Sequence, residues 1–150
     1  MADEQRVAGL VAAGELREQA PDWQMLLETL ELAERDLEAA AANASQFPPW
    51  AETMIYGAGL RAARVIVMAA GYRIAAERGH VTAINAADAL TEEVHHRIFV
   101  RLHRLRRRRH EFMYEAASEP GAQELATAEH DARQLIAIAR DRVPSATGGP

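Results

Sequence analysis

The chain contains no cysteine. This excludes a disulfide framework, cysteine-ligated zinc and a thiol nucleophile, and it fits a reducing compartment. Lysine is also absent, so all 17 basic residues are arginine. Aromatic residues make up only 5% of the chain while alanine is frequent, a balance that favours helices packed closely through small residues over sheets. No apolar run approaches the ~20 residues that a membrane span needs. The opening MADEQRVAGL is acidic where a secretory signal would be basic. The expectation is a cytoplasmic protein with no membrane partner. Its 150 residues are the size of one ordinary domain, with a core from about 22 to 143 and a disordered tail at 144–150.

The net charge of -5 conceals an uneven distribution. Residues 1–60 hold eleven acids against three arginines, residues 61–112 hold eleven arginines against five acids, and residues 113–150 hold six acids against three arginines. A basic middle between acidic flanks points to an anionic ligand or a self-complementary assembly.

Helical periodicity dominates. A weak pattern over residues 1–19 (Val7, Leu10, Val11, Leu16) leads to Pro21, which suits the first turn of a helix. Trp23, Leu26, Leu27, Leu30, Ala33, Leu37 and Ala40 then recur at three- and four-residue steps, predicting a long helix that ends before Pro48-Pro49. A second helix is expected from there to about Ala76, a short one from Val81 to Ala89, and a long one capped by Thr91 and reaching Tyr114. Glu119-Pro120-Gly121 makes a turn, and Leu125, Leu135, Ile136 and Ile138 mark the last helix. No segment alternates as a strand. The expected fold is all-α: an antiparallel four-helix bundle with one additional short helix.

The segment from Glu92 to Glu115 is the most informative. At ~100° per residue, Val94, Ile98, Leu102, Leu105 and Phe112 form the core stripe, and Arg109 falls in the middle of it. A guanidinium there must find a buried carboxylate, reach outward, or face a cavity or a partner chain. Arg101, Arg104, Arg107 and Arg108 point elsewhere and are expected to be solvated. His96, His103, His110 and Tyr114 line up opposite the core. Spacings of seven residues set these histidines ~10.5 Å apart along the axis, too far for one metal ion, so no metal site is expected. There is no GxSxG turn, P-loop or dinucleotide fingerprint. Gly57 and Gly59, inside a helix, are expected to allow close helix approach, and Trp23 and Trp50 to pack in the core or at a bundle end.

Several pieces in this order resemble the HEPN family, the higher-eukaryote-and-prokaryote nucleotide-binding domains. They are Tyr56 in an alanine-rich helix, Gly71-Tyr72-Arg73, Gly79-His80, and the later Arg109-His110. The resemblance implies a helical bundle that dimerises, in many members a metal-independent endoribonuclease of toxin–antitoxin or defence systems, with no cofactor. It implies an arginine followed four to six residues later by histidine. Local context assigns Arg109 and the polar neighbour His110, which leaves Tyr114 where histidine is expected. Spacing alone assigns Arg104 and His110. Both remain open. Arg101, Arg107, Arg108 and His103 are the expected nucleic-acid contacts. The alternative is a catalytically inert HEPN module that binds a partner, such as an antitoxin or a minimal nucleotidyltransferase.

Overall fold

The first three helices begin where the sequence supplies a cap or a proline. In the computed structural model, which describes residues 3–114 and 118–145, helix α1 spans Glu4–Ala12 and is opened by Asp3, which accepts from the Arg6 N–H at 3.1 Å. Helix α2 (Trp23–Asn43) uses the same device, Asp22 accepting from the Met25 N–H at 3.1 Å. Pro21 therefore precedes the cap instead of occupying the first turn. Helix α3 (Pro48–Ala69) starts on the two prolines, at positions whose missing N–H groups would have had no helical partner. Helices α4 (Gly79–Ala89), α5 (His96–Tyr114) and α6 (Ala122–Asp141) follow, and 75% of the described residues are helical.

Helix α3 is the central element, touching α2, α4, α5 and α6. Its buried residues, among them Ile55, Tyr56, Ala62, Val65, Ile66 and Val67, fall on several sides of the helix, the pattern of an element enclosed by others. Arg61 donates to Asp36 at 2.9 Å, and the Asn43 amide meets the Met54 sulfur at 4.0 Å, so α2 and α3 run antiparallel. At Gly59 an added Cβ would lie 2.8 Å from Leu102 Cδ1. The missing side chain is what lets α5 approach α3 there. Gly57 meets only ordinary contact.

Several expectations are corrected. Helix α3 stops at Ala69, not Ala76. Gly71, at φ 94°, turns the chain into strand β2 (Tyr72–Ile74), which pairs antiparallel with β1 (Leu16–Glu18) in the register Leu16↔Ile74. Three residues per strand are too few to show alternation, which is why the sequence pattern missed them. Helix α4 begins at Gly79, two residues before the expected Val81. Thr91 caps nothing; its hydroxyl donates back to the Ala87 carbonyl at 2.7 Å. A 3₁₀ turn, Glu93–His95, precedes α5 and leaves Val94 78% exposed, outside the stripe assigned to it. Trp50 sets its ring against Phe112 at the end of α3, centroids 4.9 Å apart and edge-on. Trp23 is partly exposed at the start of α2, so both tryptophans are peripheral. Of the expected tail, residues 146–150 lie outside the described residues.

Two arginines expected in solvent are not there. Arg101 grips Asp131 with two hydrogen bonds, at 2.6 and 2.9 Å, and Arg108 donates to Glu52 at 2.8 Å. Both carboxylates are buried, Glu52 at 8% and Asp131 at 6% exposure. A wheel drawn on apolar residues alone cannot see this, because the partners sit on α3 and α6. Burying a carboxylate is costly unless it is paired. Because Arg101 itself is partly solvated, Arg101→Ala is expected to lower unfolding free energy by about 1.5–3 kcal/mol, the range for hydrogen bonds to a charged group. Arg107→Ala, at an exposed position with no ion pair among the described residues, should stay within about 0.5 kcal/mol. Urea titrations of the two variants check this.

Candidate functional site

The remaining arginines of α5 divide between two sides of the helix. On the α6 side, Arg104 borders a groove with Arg101, Arg108 and Asp131. On the α4 side, Arg106, Arg109 and His110 face Glu77, Arg78 and His80 across a cleft of about 310 Å³. Arg109 is exposed there. Its azimuth matches that of Ile98 and Leu102, but those two sit where α3 and α6 cover α5. Further along, the cover ends and the same face opens into the cleft. Of the outcomes open to a guanidinium on that stripe, facing a cavity is the one observed.

Behind the cleft stands Tyr56. Its ring is buried, 2% exposed, and its hydroxyl is 3.1 Å from His80 Nδ1. Burial pushes the Tyr56 phenol up to about 12, although Arg106 and Arg109 pull the other way. Tyr56 is a neutral hydrogen-bonding group at any physiological pH. His80 keeps an open edge to solvent. Partial burial of its ring, then the positive charges of Arg109, Arg64 and Arg106, hold its pKa below the ordinary value. The imidazole is therefore neutral near pH 7. It can accept at one nitrogen and donate from the other.

Charge here is uncompensated. Among the described residues, none of Arg64, Arg106 and Arg109 forms an ion pair. Arg106 Nε is buried with no hydrogen-bond partner. Helix α4 opens into the cleft at Gly79 with no side-chain cap, so its positive end adds to the same field. The arrangement attracts anions, and groups able to accept and donate protons stand beside the charge.

The structure thus brings Arg109 and His110 together and sets Arg104 on another face of α5. Tyr114 lies against His110, ring centroids 4.9 Å apart, and is 75% exposed. His103 turns toward α4, its Nε2 2.8 Å from Asn85 Oδ1, and His96 meets Asp88 at 2.8 Å. These two are engaged with the fold instead of standing opposite it. Tyr56 and His80 belong to the resemblance motif, yet sequence reasoning gave them no role, and it left Arg64 and Arg106 unremarked. A signal existed for Tyr56: a large phenol in a run of alanines and glycines has to find a polar partner when buried. Among the described residues no group of three or more acidic or histidine side chains could hold a metal ion, and no helix is long and apolar enough to cross a membrane. No family model, curated protein or solved structure matches the chain.

His80 and His103 give the fold a pH dependence. Burial comes first in lowering both pKa values, with neighbouring arginines adding to it. In the unfolded chain these imidazoles regain the ordinary value of 6.5. As pH falls through that value the unfolded state takes up protons that the folded state refuses, so stability drops. Urea midpoints should fall from pH 7.5 to pH 5.5. His80→Gln combined with His103→Gln should flatten the slope over that window; an unchanged slope would show that other groups set it.

Proposed function

We propose that the protein acts on RNA, with the α4–α5 cleft holding a phosphate of the backbone, in a HEPN-like four-helix bundle. One observation carries this reading: Arg64, Arg106 and Arg109 gather around a neutral histidine with no carboxylate partner among the described residues. Structural arginines are normally paired, as Arg101 and Arg108 are. Leaving three near one another costs stability unless an anion visits.

Arg109 and His110 share this cleft, so the reading uses the alignment based on local context. In the proposed chemistry a base removes the ribose 2′-hydroxyl proton, the oxygen attacks the adjacent phosphorus, and the bond to the 5′-oxygen breaks. Arginine stabilises the charge that builds on the phosphoryl oxygens, while histidine handles the protons. Tyr114, against His110, is a stacking and positioning group. Independence from divalent metal follows from the resemblance, as does a homodimer. Arg101 and Arg108 are already neutralised by carboxylates, so Arg107 and Arg104 are the better peripheral contacts.

A second reading is an inert partner-binding module of the same family. It is favoured by Tyr114 at the position where the family carries histidine and by exposed apolar side chains, Phe47, Trp50 and Met113. An antitoxin or a minimal nucleotidyltransferase is the partner it implies.

Incubation with structured RNA in EDTA separates the two. The first reading expects cleavage that leaves 2′,3′-cyclic phosphate ends and binding that weakens steeply with salt. Arg109→Ala should lower affinity about tenfold, near 1.4 kcal/mol, and abolish cleavage, whereas Arg107→Ala should weaken binding only at low salt. Salt-dependent binding without cleavage would favour the inert module, and cleavage restored only by magnesium would overturn the mechanism. Light scattering should report a dimer at micromolar concentration.

A further inference from the structure

The charge in the cleft is specific enough to ask which kind of phosphate it suits. Arg78, Arg106 and Arg109 line it against the single acid Glu77, which leaves a formal excess of two positive charges. Arg64 adds to the field at His80 from behind. A bridging phosphodiester carries one negative charge, and a terminal phosphate carries close to two at neutral pH. The doubly charged group matches the excess; the diester leaves part of it unmatched.

The neutral groups point the same way. Tyr56 and His80 are tied to each other at 3.1 Å, so His80 is held in place before any ligand arrives. It offers the cleft a hydrogen-bonding nitrogen without a fixed charge, as suits a ligand with three terminal oxygens to satisfy. Arg106 has no hydrogen-bond partner at its buried Nε, and an arginine left so is free to turn toward an acceptor at little cost in broken bonds. At the lip, the ring of Tyr114 is 75% exposed beside His110. An aromatic face one turn from Arg109 and His110 is placed to stack on the base that bears the phosphate.

We propose that the α4–α5 cleft recognises the terminal phosphate of a nucleotide or RNA end in preference to a bridging phosphodiester, with Arg106 and Arg109 as the charged ligands, His80 as a hydrogen-bonding one, Tyr56 as the residue that positions His80, and Tyr114 as the base platform. This rests on the reading of the protein as one that acts on RNA: a terminal phosphate already carries the two negative charges that a backbone phosphate reaches only in the transition state of cleavage, so the same cleft holds the terminal group more tightly at rest.

The test is calorimetric titration of the intact protein, in phosphate-free buffer at pH 7 with EDTA, by four probes. Three are one short single-stranded RNA sequence carrying a 5′-phosphate, a 3′-phosphate or hydroxyls at both ends; the fourth is inorganic phosphate. At least one phosphorylated oligomer should bind about tenfold or more tightly than the hydroxyl-ended one. Arg109→Ala, at an exposed position that leaves the core intact, should erase the difference. Tyr56→Phe should reduce it without abolishing binding, and His80→Asn should act in the same direction. Equal affinity for all three oligomers would overturn the preference while leaving the RNA reading in place, and so would a preference that survives Arg109→Ala. Binding of inorganic phosphate that depends on Arg109, with no oligomer binding, would support the phosphate site and remove the RNA reading.

Discussion

Helix α5 carries seven arginines and buries only Ile98, Phe99 and Leu102, too little apolar surface to hold a helix of that charge against a bundle. Three carboxylates supply the rest: Glu52 on α3, Asp88 on α4 and Asp131 on α6, each at most 9% exposed. They bind Arg108, His96 and Arg101 respectively. The three come from different helices and meet α5 along its length, so they fix its rotation as well as its position. The composition of the cleft depends on that rotation. Turned by one residue, α5 would present another set of arginines to α4, and Arg101 could not meet Asp131. The pairs contribute specificity in this sense even where desolvation offsets much of their attraction.

The same fixing sorts chemically identical residues. Arg106, Arg107, Arg108 and Arg109 are consecutive, yet Arg108 is locked to Glu52, Arg107 is in solvent, and Arg106 and Arg109 face His80. At ~100° per residue four neighbours must point four ways. A run of like residues on a helix is therefore no single patch.

Much of the fold could be read in the sequence because its signals were local. The periodicity of α2, the prolines that open α3 and the apolar positions of α6 each depend on neighbours within one or two turns. Gly59 was also legible, since a glycine that weakens a helix from inside is tolerated where a neighbouring helix needs the space. What could not be read was anything set by a partner distant in the chain. The β1–β2 pairing joins residues more than fifty positions apart. The pairing of Arg101 and Arg108 depends on carboxylates of other helices. Arg109 shows the limit clearly: periodicity gave its direction, but where the covering helices end is a tertiary fact. The candidate site was half visible, through Arg109 and His110. Tyr56 and His80 stand 24 positions apart, and only the crossing of α3 and α4 makes them neighbours.

The small sheet has a mechanical consequence for the cleft. Strand β2 leads through residues 75–78 directly into His80 and the first turn of α4. Glu15, just before β1, holds that passage twice: its carbonyl accepts from the Ala75 N–H at 2.9 Å, and its carboxylate accepts from the Thr82 hydroxyl at 3.1 Å. One wall of the cleft is thus moored by the N-terminal segment, while the opposite wall, α5, is moored by the three carboxylates. The two walls are joined through Asp88 of α4 and otherwise hang from different supports, Glu15 on one side and Glu52 and Asp131 on the other. A disturbance near residue 15 would shift His80 relative to Arg109 without loosening any arginine, so the N-terminal segment acts as a spacer that sets the width of a site to which it contributes no side chain.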